Sequence, residues 1–295
     1  MKPRTRWYGG QALLVAFRIL RDVVVYRIRN HEMANVASSL SIMVAMRLEW
    51  RDAAVRFVFS MALNAAVYLI NDIFDAAADR VSENKDACKT AYLQEHKREA
   101  WQAVGIPVAI MVALGLVWNH ELLVVLAVTS VAFVAYSAKL KRVAFLDLPT
   151  IFVCAVTGSM MAFPLNKPMG WCLVGLLGCF AMCFQTVQMV RDHDEDAAFG
   201  TRTTAVALGT RYTMWLHRGL LAVAALYTSL WVHRWVGAAM LLVVLLPFDA
   251  KRATVHWSRL RLALGIAWLA VVAWVLWKGS LHGVLLDLPG VVSME

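Results

Sequence analysis

Hydrophobic residues in this chain fall into nine long runs that are separated by short polar stretches. The runs cover residues 33–48, 53–72, 101–118, 121–138, 147–165, 170–190, 213–232, 235–249 and 262–278. A helix needs about 20 apolar residues to cross a bilayer, so the shorter runs must extend into flanking residues. We therefore predict an all-α, polytopic membrane protein with about nine transmembrane helices.

The first 30 residues have a different pattern, because basic side chains interrupt their apolar positions. Arg18 and Arg21, for example, lie among leucines, valines and a phenylalanine. Such a pattern is typical of a helix that lies in the membrane interface. We expect a basic interfacial N-terminal helix over residues 1–30 and a single transmembrane domain over residues 31–295.

The composition supports a membrane protein and explains the net charge. Hydrophobic residues make up 60% of the chain, whereas soluble domains contain roughly 45–50%. The formal net charge is +9, but the basic residues lie in short connections between apolar runs. Attraction to anionic membrane lipid accounts for this placement, so we expect no nucleic-acid partner.

The basic residues are distributed unevenly between the two alternating sets of connections. Fifteen Lys and Arg residues lie in segments 73–98, 139–142, 191–212 and 251–261. Four lie in segments 47–52, 119–120, 166–169 and 233–234. Because short cytoplasmic loops carry the excess of basic residues, we predict that the first set faces the cytoplasm.

Two acidic clusters directly follow apolar runs, and both belong to the predicted cytoplasmic set. Their polar positions are Asn71, Asp72, Asp75 and Asp79 in the first cluster, and Asp192, Asp194 and Asp196 in the second. Carboxylates are costly near a bilayer, and those found there are functional candidates by default. A solvated loop is the simpler explanation for one such cluster but a weaker explanation for two.

The spacing within each cluster places oxygen ligands on one side of a helix. Asn71, Asp75 and Asp79 are four residues apart and form one stripe, with Asp72 beside it, because a helix turns about 100° per residue. Asp192 and Asp196 repeat this spacing, whereas Asp194 points elsewhere. Mg²⁺ prefers such oxygens together with phosphate oxygens. If the stripes face each other, they are suited to hold a magnesium-bound diphosphate.

This arrangement suits the ionisation of an allylic diphosphate. Magnesium neutralises the charge that develops as diphosphate leaves. The carbocation that remains needs an apolar, water-poor chamber, and a bundle of apolar helices provides one. We therefore expect Mg²⁺ as the cofactor and an isoprenoid diphosphate as a substrate.

At these residues the chain resembles the UbiA superfamily of intramembrane prenyltransferases. The first cluster is similar to the family's first motif, and the second cluster with its tail around Arg202 is similar to the second motif. A third element, the segment 136–142 with the sequence Tyr-Ser-Ala-Lys-Leu-Lys-Arg, resembles a phrase that follows the family's fourth helix. The resemblance covers roughly residues 30–280.

The resemblance implies a helical bundle around a central cavity, capped by cytoplasmic Asp-rich loops. It implies metal ligands at Asn71, Asp72, Asp75, Asp79, Asp192 and Asp196. It implies catalytic roles for Asp75, Asp192, Lys141 and Tyr136. Substrate-binding roles fall on Asn71, Lys141, Arg202, Lys85 and Lys89. The last two are candidates because the family's Arg-Pro after the first motif is absent here, and the sequence does not choose between them.

The function that the resemblance implies is transfer of a polyprenyl group to a lipophilic or aromatic acceptor within the membrane. The alternative is a terpene cyclase on the same scaffold, in which the substrate's own double bonds capture the cation. A transporter is less favoured, because transporter acids lie near the membrane centre. A CDP-alcohol phosphotransferase is less favoured as well, because its acids form one compact motif.

Overall fold

The computed structural model describes residues 9–29, 32–79 and 87–287, and these residues form helices with no β-strand beyond two isolated bridges. The α-helices are α1 (Gly9–Arg29), α2 (Ala34–Ala45), α3 (Trp50–Asp79), α4 (Ala87–Glu95), α5 (Lys97–Val117), α6 (Glu121–Ala138), α7 (Asp147–Ser159), α8 (Pro168–Arg191), α9 (His193–Ala198), α10 (Thr204–Leu208), α11 (Thr210–Tyr227), α12 (Arg234–Val244) and α13 (Ala253–Lys278). The all-α prediction is confirmed. Each of the nine apolar runs also contains a helix.

Five of the described helices, α3, α5, α6, α8 and α13, are long and apolar enough to cross a membrane. Three apolar helices are shorter: α2 has 12 residues, α7 has 13 and α12 has 11. At 1.5 Å per residue these three are about 16–20 Å long, which is less than the hydrocarbon core of a bilayer.

Helix α3 extends beyond the apolar run that predicted it. It is 30 residues long and contains neither Gly nor Pro, so nothing in its sequence ends it before the acidic cluster. Its last turns include Ala76, Ala77 and Ala78, which have the highest helix propensity. The first acidic cluster is therefore carried on the same rigid helix that packs in the bundle core.

Helix α8 occupies the centre of the largest apolar core and packs against α7, α11 and α13. Its core residues include Leu173, Leu176 and Cys183, which are fully buried. A β-carbon at Gly175 would lie 2.3 Å from the hydroxyl oxygen of Tyr227, so glycine permits the close approach of α11. Like α3, this buried helix leads directly into an acidic cluster.

Helix α1 packs against α3 and α5 with Ala16, Ile19 and Val23, which are buried. Leu14 and Phe17 on the same helix are exposed. The helix predicted for the N-terminal segment is therefore present between residues 9 and 29. It is part of the packed bundle and also presents an apolar surface outward.

Candidate active site

The first acidic cluster faces the connection between α6 and α7. The amine nitrogen of Lys141 lies 3.1 Å from Oδ1 of Asn71 and also forms an ion pair with Asp75. A guanidinium nitrogen of Arg142 lies 3.3 Å from the same Asp75 oxygen. Asn71 and Asp75 thus share one face of α3, as their four-residue spacing predicts, and Lys141 contacts both.

Asp72 faces a different neighbour, the C-terminal end of α1. Its Oδ1 accepts a hydrogen bond from Arg27 at 2.8 Å, and its side chain is only 8% exposed. Arg27 also pairs with Glu32 and lies over the ring of Tyr68, 4.3 Å from the ring centroid. Tyr68 in turn donates a hydrogen bond to the backbone oxygen of Glu32 at 2.7 Å. In the sequence, nothing distinguishes Arg27 from the other basic residues of the N-terminal segment.

The second acidic cluster begins where α8 ends. Asp192 lies between α8 and α9, and its two carboxylate oxygens accept hydrogen bonds from Arg191 at 2.6 and 2.8 Å. The backbone NH of Asp196 donates to the backbone oxygen of Asp192 at 2.9 Å, so one helical turn separates the two acids. Asp194 is fully exposed and contacts His193, which agrees with the prediction that it points elsewhere.

Asp196 lies in a partly buried position beside the second-motif tail. The hydroxyl of Thr203 donates to its Oδ2 at 3.4 Å. Burial raises the pKa of Asp196 to about 6, and the neighbouring charge of Asp192 adds to this rise. The hydrogen bond from Thr203 acts in the opposite direction because it stabilises the charged form.

The two clusters lie at the same end of the bundle. Tyr136 lies near the end of α6 and is half-buried, five residues before the Lys141 that pairs with Asp75. The α6–α7 connection contacts the first cluster through Lys141 and the second-motif tail through the backbone bridge of Val143 with Arg202.

A buried contact joins the start of α7 to the second-motif tail. Asp147 is fully buried, and its two carboxylate oxygens accept hydrogen bonds from the backbone NH and the hydroxyl of Thr204, at 2.7 and 2.5 Å. Val143 and Arg202 form an isolated parallel bridge through their backbones, and the side chain of Arg202 is exposed. The sequence does not mark Asp147 as a site residue, because acidic residues are common in the first turn of a helix, where they interact favourably with the helix dipole.

Three predicted site positions lie wholly or partly outside the described residues. Lys85 belongs to the segment 80–86, which the structure does not describe. Asp79 ends α3 and Lys89 lies in α4, but their side chains are outside the described part. Their roles stay predictions.

The described donors have the oxygen chemistry that magnesium requires. Among the residues with described side chains, no three His, Cys, Asp or Glu side chains form a ready-made metal cage. Mg²⁺ does not need such a cage, because it commonly takes one or two carboxylates and completes its shell with phosphate oxygens and water. Asp75, Asp192, Asp196 and the amide oxygen of Asn71 therefore fit magnesium that is shared with a phosphate ligand.

A cavity of about 230 Å³ lies between α2, α3, α6, α7, α8 and α13. Most of its lining is apolar, including Phe133, Phe180 and Trp268. Asn35 and Arg261 line it on α2 and α13 and are exposed. Helix α2 begins two residues after Glu32, which pairs with Arg27.

Comparisons with known proteins agree with these features. The model of the UbiA prenyltransferase family matches residues 34–261, which is most of the chain. The chain is 27% identical to a digeranylgeranylglyceryl phosphate synthase from Natronomonas pharaonis over 214 residues, 69% of this chain and 74% of that protein. It is 27% identical to a lycopene elongase/hydratase from Corynebacterium glutamicum over 212 residues, 66% of this chain and 70% of that protein.

A solved structure shares the fold. The chain superimposes on a UbiA homolog from Archaeoglobus fulgidus bound to GPP and Mg²⁺ with a TM-score of 0.61 and 15% identity. The superposition covers 88% of this chain and 99% of that one. At this identity the likeness establishes the fold alone.

Proposed function

The chain belongs to the UbiA prenyltransferase family, and on that premise we propose that it transfers a polyprenyl group from an isoprenoid diphosphate to a lipophilic or aromatic acceptor, with Mg²⁺. The single observation that carries this proposal is the contact of Lys141 with both Asn71 and Asp75. It joins the first acidic motif to the third element of the family resemblance.

The acidic residues hold the metal in this proposal. Asn71, Asp75 and Asp79 on α3, and Asp192 and Asp196 after α8, would hold it. We also propose Asp72 as a metal ligand; in the structure it pairs with Arg27, and this pair fixes α1 against α3. When bound, magnesium neutralises negative charge on the departing diphosphate.

The basic side chains of the α6–α7 connection bind the diphosphate. In the described structure Lys141 and Arg142 neutralise Asp75. With Mg²⁺ held at Asp75, both side chains would be available to donate to phosphate oxygens, to which Lys binds as a compact charge. Arg202, and Lys85 or Lys89, supply further positive charge. Tyr136 lies beside the reacting end of the prenyl group.

The cavity contains the apolar part of the reaction. Its apolar and aromatic walls exclude water from the allylic cation once diphosphate has left. The exposed side between Asn35 and Arg261 admits the acceptor from the surrounding lipid. Arg261, whose guanidinium lies 5.0 Å from the ring centroid of Trp257, meets the polar end of that acceptor.

The acceptor is lipophilic in this proposal. One relative is named for a digeranylgeranyl product of glyceryl phosphate, and another for elongation and hydration of lycopene. These names describe lipophilic molecules of very different polarity, which is why acceptor identity needs a direct assay.

The membrane arrangement completes the proposal. We propose nine transmembrane helices that correspond to the nine apolar runs, with the shorter helices completed by their flanking turns. Residues 1–30 lie in the interface, and residues 31–295 form one transmembrane domain. The bias of Lys and Arg favours a cytoplasmic position for both acidic clusters.

Product analysis tests the proposed function. Purified protein is incubated with geranyl, farnesyl or geranylgeranyl diphosphate, with or without a glyceryl phosphate lipid, lycopene or a phenolic acid, and products are identified by mass spectrometry. We expect a prenylated acceptor that forms only with divalent cation present. A hydrocarbon or alcohol formed without acceptor would indicate the cyclase instead. No consumption of any prenyl diphosphate would contradict both.

A further inference from the structure

Asp147 is a buried carboxylate that lies outside both acidic motifs. It is fully buried, and it accepts three hydrogen bonds, two from Thr204 and one from the backbone NH of Leu148 at 2.9 Å. A buried carboxylate is very costly unless its oxygens are satisfied in this way. The contact with Thr204 spans 57 positions in the chain, so a local helix-capping role does not explain it.

Thr204 also holds the backbone on the other side of Asp147. Its hydroxyl oxygen accepts a hydrogen bond from the backbone NH of Phe145 at 2.7 Å. Phe145 has φ = +67°, which is an unfavourable backbone region for a bulky residue. A residue keeps such a backbone conformation only where surrounding contacts hold it in place. Thr204 therefore fixes the turn that leads from Arg142 into α7.

Each side of this contact leads to one of the acidic motifs. Just before the turn, Lys141 and Arg142 contact Asp75. Just before Thr204, the hydroxyl of Thr203 donates to Asp196. The Asp147–Thr204 contact is thus the buried link between the group that contacts Asp75 and the group that contacts Asp196.

We propose that Asp147 and Thr204 form a positioning pair that sets the α6–α7 connection and the second-motif tail at the spacing needed to bind one magnesium-bound diphosphate between the two acidic clusters. This inference rests on the proposed function and adds two residues to it. Neither residue contacts the diphosphate. Both act through Lys141 and through Thr203.

A carboxylate is required at position 147 because both of its oxygens accept hydrogen bonds. Asn replaces one oxygen with an NH₂ group, which then faces either the backbone NH of Thr204 or the donors on the other oxygen. At position 204, Val keeps the shape but loses the hydroxyl, which both donates to Asp147 and accepts from Phe145. Ser keeps the hydroxyl and loses only a methyl group.

The test measures binding of inorganic diphosphate in the presence of Mg²⁺ to purified full-length protein by calorimetry. The variants are D147N, T204V and T204S, and D147N is also combined with K141M. T228V is the control, because Thr228 is equally buried and its hydroxyl bonds only within its own helical segment, to Ala224. Thermal unfolding is recorded for every variant.

We expect D147N and T204V to weaken binding by roughly 10-fold, as expected for loss of a buried charged hydrogen bond. T204S should recover most of the affinity, and T228V should match wild type. In the K141M background, D147N should cost much less than it does alone, because both changes remove the same contact with diphosphate.

Three outcomes contradict the inference. Wild-type affinity in T204V would show that the link does not set the site. Fully additive effects of D147N and K141M would reduce Asp147 to a general stabilising residue. Wild-type protein that binds no magnesium diphosphate would overturn the proposed function itself, and this inference with it.

If D147N does not fold, the comparison of T204V with T204S still tests the inference.

Discussion

Lys141 donates a hydrogen bond to the side-chain oxygen of Asn71 at 3.1 Å, although 70 positions separate the two residues in the chain. The same amine pairs with Asp75, one helical turn further along α3. A positive charge therefore lies between an amide oxygen and a carboxylate of the first motif. In the proposed function, that position would let one side chain balance the acids without a cation and contact the phosphate once a cation is bound.

Replacing Lys141 should weaken the binding of prenyl diphosphate. We expect Lys141→Ala to raise KM for the diphosphate roughly 10- to 100-fold, since a charged hydrogen bond is lost. Steady-state kinetics with varied prenyl diphosphate measure this. Lys139→Ala is the matched control, because Lys139 has the same charge two residues away and is exposed. Equal effects of the two changes would mean that Lys141 only anchors the loop.

Loss of one carboxylate from either cluster should stop turnover without unfolding the protein. We expect Asp75→Ala and Asp192→Ala each to reduce the rate at least about 100-fold. Loss of a residue that only hydrogen-bonds to a metal ligand typically costs about 10- to 100-fold, and loss of the ligand itself should cost more. Asp194→Ala should retain activity, because its side chain is fully exposed beside Asp192. Activity is assayed on purified protein whose fold is checked by circular dichroism. Full activity in either of the first two variants would remove that residue from the metal site.

Magnesium binding should weaken in acid because of Asp196. Its pKa is raised to about 6, so the group becomes neutral as pH falls below that value, and only the carboxylate binds a cation. Thr203→Val removes a hydrogen bond to the charged form, so the pKa should rise further and the acidic loss of affinity should begin at higher pH. Calorimetry with Mg²⁺ and diphosphate from about pH 5 to about pH 8, a range that includes the raised pKa of Asp196 and lies above the usual Asp value, measures this.

The expected signature is a shift of the profile, not only a lower plateau. Asp196→Asn should weaken binding throughout and remove this part of the pH dependence. A Thr203→Val profile that coincides with wild type would show that another group causes the acidic loss.

Filling the cavity should separate diphosphate binding from transfer. Gly265 lines the cavity, and an added β-carbon there meets no atom within 4 Å. We expect Gly265→Leu to lower prenyl transfer on the order of 10-fold, because misplaced reactants lose rate steeply. Binding of magnesium diphosphate should not change. Gly105→Leu is the control, because Gly105 has equal free space and does not line the cavity. Unchanged transfer in Gly265→Leu would place the reaction elsewhere.

The features of this protein that its sequence predicts are its helices and the residues that share one face of a helix, because both depend on residues close together in the chain. The nine apolar runs predict helices because a chain that crosses a bilayer must satisfy its backbone hydrogen bonds internally. The spacing of Asn71 and Asp75 predicts a shared face because residues four apart lie on the same side of a helix. The role of Lys141 is predicted by the resemblance of the segment 136–142 to a family motif, and not by the spacing of its residues. Its contact with Asn71 needs the tertiary fold, since it joins α3 to the α6–α7 connection.

The parts that the sequence does not predict depend on partners far apart in the chain. Arg27 reads as one more basic residue of an interfacial helix, yet it pairs with Asp72 across 45 positions. Asp147 reads as an ordinary acid at a helix start, yet its partner is Thr204. Neither pairing has a periodic signal, because each is set by how the helices pack.

The most direct test of the central claim measures whether one magnesium-bound diphosphate needs both acidic clusters. Calorimetry compares wild type with Asp75→Asn, Asp192→Asn and the double variant, titrated with inorganic diphosphate and Mg²⁺. We predict one binding event in wild type, its loss in either single variant, and no further loss in the double variant. Undiminished binding in either single variant would show that the clusters do not share the ligand.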